Sequence, residues 1–533
     1  MRFEFRMLYM MKKVGCALIF LCCGVFSIEA AEISEKQDIA IFGITHSAYT
    51  IPDDVLEYAE SSINYVFINL KRFNVLGYGE YRMETGDIDD FVKRIREIRS
   101  EKAKEAGTYD EKFGTLVIKG EDFDRIVNSF IIVLPSLSNY SVGRKRSQYI
   151  LDNVIYVKSS YAVEVVIDIN FVNVREGTQQ EAIRITGTGE SEDLDRANSK
   201  AVENAISGLP LKIRQLEAFK IRSGVIQVRG DTVIFAQGKN LGLKPGDEFE
   251  VMTKQEVGNS GRIVELPTGL VRAKKVYPEV TQAHIIMQKE KITEGDQLVE
   301  ISRFGAQVGF QAGVMEVDIP AIDYRIALVD DSLNTDEYYF ISLDQKEKRF
   351  APDAGVRFTK SLGYRLSGVA DLTALINFPF FGGIGEIGIG SSFYKRRLSV
   401  ELMAQGGLLY MTTFAKALER NSGGVDYLDI EGTRISYNQY PTLRIYGISV
   451  GVKGGTGLVY RISPGASVRL ALGYRLYTPI KNWTFHIEET AGSSKNEVNI
   501  KSDSSNIYEV DGGSTKKVDI SGFEGKLSLN IMF

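Results

Sequence analysis

Few side chains in this 533-residue chain stand at spacings that could do chemistry. Its three histidines, His46, His284 and His486, lie far apart, and none has a second histidine at metal-ligand spacing. His486 has the most suggestive neighbours, Trp483 and Glu488. A serine such as Ser399 or Ser449, brought beside it by folding, would complete a serine–histidine–acid set able to cleave an ester. Gly383-Ile384-Gly385-Glu386-Ile387-Gly388 matches a dinucleotide fingerprint letter for letter. That motif works only between a strand and a helix, and no helical pattern follows it here. Asp87, Asp89 and Asp90 have the acidity of a calcium loop but lack its glycine and closing glutamate. As the first turn of a helix they need no ion. His46 and His284 read as structural residues. No catalytic residue, cofactor or metal ligand is therefore expected.

Charge placement is more telling. Asp371, Glu401, Lys453, Arg469 and Arg475 fall inside apolar segments that alternate with period two. Ala466, Val468, Leu470, Leu472, Tyr474 and Leu476, for example, alternate with Ser467, Arg469, Ala471, Gly473 and Arg475. Alternate side chains point to opposite faces of a strand, so these charges share a sheltered face and form candidates for an internal ion-pair network. The last thirteen residues, Ser521 to Phe533, repeat the pattern: Phe523, Leu527, Leu529, Ile531 and Phe533 on one face, Glu524, Lys526, Ser528 and Asn530 on the other. A strand of this kind ending on an aromatic resembles the closing strand of bacterial outer-membrane β-barrels. In that family these residues form the signal read by the barrel-assembly machinery. Some such barrels are lipid hydrolases with a rim histidine, serine and acid, which is the context in which His486 would matter.

The period recurs in eight segments, near 304–316, 353–361, 364–376, 384–392, 396–411, 443–456, 465–477 and 519–533. Long links alternate with short ones, and an even count returns both ends of the barrel to one side of the membrane. Hydrocarbon cannot satisfy an open sheet edge, so the sheet must close, and eight strands enclose a space that side chains fill. A diffusion pore is not expected.

At the other end, Lys12 and Lys13 precede the apolar run Val14 to Ile28, then Ala30 and Ala31, the build of a secretory signal peptide covering residues 1–31. A lipoprotein reading would instead modify Cys22 or Cys23. All three cysteines, Cys16, Cys22 and Cys23, lie in this segment, so disulfides and cysteine chemistry are excluded from the rest of the chain. Residues 32–220 interleave strands and helices, an α/β pattern. A strand at Ile39–Ile44 is followed by a helix opening at Pro52 with Val55, Tyr58, Ala59, Ser62, Ile63, Val66, Phe67 and Leu70 on one face. Asn74–Tyr78 is a strand, 91–105 a helix, Arg144-Lys145-Arg146 a solvated basic turn, and 154–174 and 181–188 are strands. The segment 193–219 is a helix interrupted near Gly208 and Pro210. The order of these elements and the stripe Ala197, Ala201 and Ala205 resemble the periplasmic domain of the curli-secretion-channel family. Residues 221–302 carry two Gly-Asp turns, Gly246-Asp247 and Gly295-Asp296, each feeding an apolar strand. This suits a small SH3-like barrel of about five strands and resembles the C-terminal domain of the flagellar T-ring assembly proteins.

The fold expected is thus multidomain: a periplasmic α/β domain, a small SH3-like β-barrel and, over 303–533, a transmembrane antiparallel β-barrel. A net charge of −5 gives no nucleic-acid footprint. The expected protein is not an enzyme. It would sit in the outer membrane of a diderm bacterium with its N-terminal domains in the periplasm and act in envelope assembly or scaffolding. Its partners would be membrane lipid, the barrel-assembly machinery, a periplasmic protein or peptidoglycan, and further copies of itself. A surface adhesin acting through the long loops at 318–350, 412–441 and 478–517, and a rim lipid hydrolase, are the alternatives.

Overall fold

The computed structural model describes residues 33–533 apart from 47–50, 80, 84–86, 101–109, 114–115, 128, 152–153, 175, 177, 257–262, 319–321, 329–336, 344–349, 378–379, 415, 418–426, 431–432, 437–441, 492–493, 502–506 and 510–517. The expected signal segment, its three cysteines, and parts of the long loops, Tyr437 included, lie outside the described residues.

The first region is built on β1 (Gln37–Phe42), β2 (Phe73–Tyr78), β3 (Ile131–Leu151), β4 (Val154–Asn173) and β5 (Thr178–Ser191), in sheet order β2-β1-β3-β4-β5. β1 lies parallel to both β2 and β3, whereas β3, β4 and β5 are antiparallel. Ile39, Ala40, Ile41 and Phe42 are all buried, as a continuous apolar run covered on both faces should be. Helix α1 (Asp53–Leu70) follows Pro52, carries Asp53 and Asp54 in its first turn, and buries Val55, Ala59, Ile63, Val66 and Phe67. Tyr58, expected on that buried face, is exposed and donates to Glu203 at 2.8 Å. Helix α2 (Leu194–Ser207) is capped by Asp193, which accepts from Arg196 N at 2.9 Å. Its alanine stripe lies against β5 so closely that a Cβ at Gly187 would stand 2.1 Å from the Ala201 carbonyl. Small residues on both partners make that contact.

One expectation fails here. Arg144-Lys145-Arg146 is not a turn but the middle of β3, paired with Tyr161, Ser160 and Ser159 of β4. Residues 141–148 are exposed, so the segment has no buried face to impose alternation, and its polar sequence looks like a loop.

The second region is a closed barrel of β6 (Arg222–Arg229), β7 (Thr232–Ala236), β8 (Glu248–Glu256), β9 (Ile263–Val276), β10 (Val280–Gln288) and β11 (Gln297–Ile301), in the order β7-β10-β9-β8-β11-β6. Six strands close it where about five were expected, because β6 pairs with both β7 and β11. Val225, Phe235, Phe249, Val251, Ile285 and Leu298 fill the centre. Both Gly-Asp turns share one construction: Gly246 and Gly295 take positive φ (103° and 90°), and Asp247 and Asp296 accept from the backbone N–H three residues back, each at 2.7 Å.

The third region is an eight-stranded antiparallel barrel: β12 (Ala306–Glu316), β13 (Phe350–Ser361), β14 (Leu366–Asn377), β15 (Phe380–Lys395), β16 (Leu398–Thr413), β17 (Thr442–Ser463), β18 (Ala466–Tyr477) and β19 (Gly522–Met532). Consecutive strands pair, except that β12 also pairs with β19, so the sheet has no free edge. β17 runs to Ser463, seven residues past its expected end, because Leu458, Tyr460 and Ile462 continue the outward alternation. The β14–β15 link, expected over 377–383, is only residues 378–379, since Phe380 and Phe381 already belong to β15. Three short turns, after β13, β15 and β17, face the small barrel; this end is called proximal below. The distal links carry extra strands, among them Thr484–Ala491, which pairs with the start of β17, and a three-stranded sheet of Ile322–Leu328, Glu337–Leu343 and Ile507–Glu509.

Candidate functional site

The large barrel is inside out by the standards of a soluble protein. Phe310, Leu372, Ile387, Leu402, Val450, Leu472 and Leu527 stand on its outer surface, Ile387 with 72% of its area exposed. Phe523, Leu529, Ile531 and Phe533 share that face, while Glu524, Lys526, Ser528 and Asn530 of the same strand are buried. A continuous apolar belt of this size in water would forgo roughly 1.5–3 kcal/mol per large side chain. Aromatic residues mark its two margins: Phe381 on Phe414 (4.6 Å) and Tyr410 on Tyr446 (6.1 Å) distally, Phe358, Phe393 and Tyr460 proximally. From Phe381 to Phe393 is twelve steps along β15. At ~3.3 Å each and ~40° tilt, that is about 30 Å, a hydrocarbon thickness. An apolar belt between two aromatic margins, around a polar and closed interior, is the build of a membrane-spanning β-barrel.

Inside, all five residues singled out from the sequence are found in one network. Lys453 from β17 reaches Asp371 (3.2 Å), Glu524 (3.4 Å) and Glu386. Arg475 bridges Glu386 (3.1 Å) and Glu524 (2.5 Å), and Arg469 donates to Glu401 (2.8 Å). The sequence reading missed Arg357, which pairs with Asp371 at 3.2 Å, and put Lys526 on the polar face without including it in the network, where it pairs with Asp353 at 3.3 Å. Glu386 was hidden within the Gly383–Gly388 motif, which lies wholly in β15 with no helix after it. Each of these charges sits on an inward position, so the alternation phase alone could have found them. Buried ions persist only when partnered, and here each cation meets at least one carboxylate.

Distal to the ions the interior turns apolar. Met315, Leu375, Phe380, Leu409, Met411, Leu443, Ile445, Ile480, Trp483 and Phe485 form one buried cluster. Trp483 is fully buried, 5.6 Å from the Phe380 ring and packed on Gly447, where a Cβ would strike Ile480 at 2.5 Å. Its position in a long polar loop gave no hint of this.

His486 lies on the strand Thr484–Ala491, paired with Arg444 of β17. Its Nδ1 shares a hydrogen bond with Asn499 at 2.8 Å, and Glu488 and Glu497 stand 3.7 and 4.0 Å from Nε2. Neither expected serine is brought to it. Ser449 is five residues further down β17 than Arg444, roughly 16 Å at ~3.3 Å per residue. Ser399 belongs to the proximal end of β16. His46 is exposed beside β3, and Asp89 and Asp90 open the helix Ile88–Ser100.

The proximal turns are clasped by the small barrel. Glu248 at the start of β8 meets Arg461 (3.2 Å), Arg303 (3.0 Å) and Arg272 (3.8 Å). Burial pushes its carboxyl up, but the three guanidiniums outweigh that and hold it below the ordinary value. Arg303 also donates to the Pro464 carbonyl (2.7 Å) in the turn after β17. Arg272 donates to Gly363 O (3.1 Å) and Ser361 in the turn after β13, and to the Tyr394 hydroxyl (2.9 Å) at the turn after β15. His284 meets the Tyr394 carbonyl at 3.0 Å, and burial lowers its affinity for a proton. One step further in, Glu300 of β11 takes Arg72 in a two-pronged pair (2.6 and 2.7 Å) together with Arg214, tying the first region to the second. Glu300 likewise titrates below its ordinary range, the two arginines overcoming burial.

No protein-family model and no curated protein matches the sequence. Among solved structures, a major outer membrane protein from Thermus thermophilus aligns at 11% identity over 43% of this chain and 99% of its own, TM-score 0.25. The outer membrane protein OprG from Pseudomonas aeruginosa aligns at 12% identity over 43% and 97%, TM-score 0.22. A homologue of neuraminyllactose-binding hemagglutinin from Helicobacter pylori aligns at 11% identity over 35% and 87%, TM-score 0.22.

Proposed function

We propose that this chain is an outer-membrane-anchored structural or assembly protein. Its β-barrel holds it in lipid, and its N-terminal regions, in the periplasm, bind envelope partners such as secretion, motility or cell-wall machinery. The observation that carries this reading is the combination of a filled barrel and a clasped mouth. Paired ions occupy the middle of the interior, an apolar cluster lies distal to them, and Arg272, His284 and Arg303 fix the module to all three proximal turns. Such a barrel serves as an anchor with a rigid mount. The element order that resembles the curli-secretion and flagellar T-ring families supports envelope assembly as the setting. The reading gives His486 no catalytic part: its ring hydrogen-bonds Asn499, Glu488 stands 3.7 Å away, and neither Ser399 nor Ser449 is beside it.

Cross-linking in living cells from the surface of residues 33–301, with the captured protein identified, tests it. Capture of an envelope assembly protein or peptidoglycan fits; a chain that captures nothing but lipid does not. A second reading, a surface adhesin, is favoured by the ordered distal strands, where Ile322–Leu328 pairs with both Glu337–Leu343 and Ile507–Glu509. Protease shaving of intact cells followed by a host-ligand binding assay separates the two.

A further inference from the structure

Where the clasp meets the membrane margin, the positive charge exceeds what the carboxylates there can balance. A cavity of about 360 Å³ lies between the small barrel and the proximal mouth, lined by Arg214, Lys244, Arg272, Arg303, Lys360 and Arg461 against two acidic side chains, Asp247 and Glu248, with the α-carboxyl of Phe533 also in the lining. Asp247 and Arg214 are already paired at 3.2 Å, and Arg214 also serves Glu300. Arg272, Arg303 and Arg461 converge on Glu248, the one described carboxylate within 4 Å of all three, with Glu250 adding a weaker pull on Arg303. One carboxylate cannot neutralise three guanidiniums brought within 4 Å of it, and burying unbalanced charge is costly. Arg272 is 7% exposed, yet its Nε makes no hydrogen bond.

The position of the cavity points the same way. Its lining includes Phe304 and Leu362, 54% and 59% exposed, which belong to the apolar margin of the barrel. Lys360 is exposed as well and lies over the Phe304 ring at 5.8 Å. The cavity therefore opens where the inner-leaflet headgroups would begin, with grease on its outer lip and guanidiniums within. A second, smaller space beside it, about 60 Å³, adds Arg365, Arg396 and Arg397 with Glu401 as its carboxylate.

We propose that this junction binds a phosphate-bearing anion, the headgroup phosphate of an anionic lipid, which completes the neutralisation of Arg272, Arg303 and Arg461. Guanidiniums bind phosphate oxygens through paired, charge-assisted hydrogen bonds, and Lys360 and Lys244 stand at the entrance as added positive charge. The site ties the module to the membrane plane as well as to the barrel. It rests on the barrel being embedded in lipid and is independent of which envelope partner the module binds.

The test uses the full chain in detergent micelles, with short-chain phosphatidylglycerol, short-chain phosphatidylcholine and inorganic phosphate as probes, and bound adducts counted by native mass spectrometry. One phosphatidylglycerol per chain is expected, held more tightly than phosphatidylcholine. Lys244→Gln with Lys360→Gln, both exposed positions, weakens it by roughly tenfold or more, as does Arg303→Gln in a separate variant. Inorganic phosphate that displaces the lipid at similar concentration keeps the anion site but assigns it to a free ion. Equal retention of both lipids, or phosphatidylglycerol held equally by all variants, overturns the proposal. Trp483 fluorescence reports in the same samples that the barrel is folded.

Discussion

Lys453→Met probes the barrel interior at its centre. Lys453 is 3% exposed and contacts Asp371, Glu386 and Glu524. Methionine has nearly the same length, so the change removes charge with little change of volume. It leaves Glu386 with Arg475, Asp371 with Arg357, and Glu524 with Arg475 and Lys526, so each carboxylate loses one cation and keeps at least one. Removing one partner from a buried pair destabilises by roughly 3–5 kcal/mol. The surviving arginines make the lower end, about 3 kcal/mol, the expected value. The chain carries its own reporter, because its single tryptophan, Trp483, is buried inside the same barrel. Urea unfolding of the full chain in micelles, followed by Trp483 emission, should shift its midpoint down by roughly 1–3 M for a slope of about 1–3 kcal/mol per molar. Lys453→Arg, which keeps the charge, should recover part of the loss. An unchanged midpoint would refute the claim that these ions are buried and mutually dependent.

Further outcomes follow from the same geometry. Glu300→Gln leaves Arg72 and Arg214 facing a neutral amide, so hydrogen exchange over 222–229 and 297–301 should accelerate while the large barrel is unaffected. Glu248 and Glu300 both titrate below their ordinary value of 4.5. A depressed carboxyl contributes stability above its unfolded value that is lost as pH falls through the folded one. Protease should therefore separate the small barrel from the large one, through Glu248, and the first region from the second, through Glu300, only below about pH 4.5. Trp483→Ala opens a void in the apolar cluster at a penalty of roughly 3–5 kcal/mol, read as a lower thermal midpoint, and planar-bilayer recordings of the native chain should lack discrete conductance. His486→Ala should leave membrane lipid composition unchanged.

The eight-stranded barrel was legible because lipid imposes a simple rule on the outside and pairing imposes another on the inside. Strands such as β18 and β19 obey both at every position, so their phase names the inward charges Lys526 and Arg475 as surely as the outward Leu527 and Leu476. β3 was illegible for the opposite reason: between residues 141 and 148 it buries neither face, and nothing distinguishes it from a loop. The inward turn of Trp483 was also hidden, since it depends on Gly447, 36 residues earlier, leaving room across the barrel. The clasp around Glu248 draws its arginines from positions 272, 303 and 461, a convergence that only closure of two barrels creates.

The central claim is that the outer face of the large barrel lies in hydrocarbon. The described chain has no cysteine, so single cysteines carrying a nitroxide can be introduced at Leu472, Leu527 and Ile387 on the outside and at Tyr65 on the exposed face of α1. In lipid vesicles, paramagnetic broadening by oxygen, which concentrates in the bilayer, should dominate at the three outward barrel sites, and broadening by a water-soluble nickel chelate should dominate at Tyr65. Free access of the nickel chelate to position 527 would contradict the account.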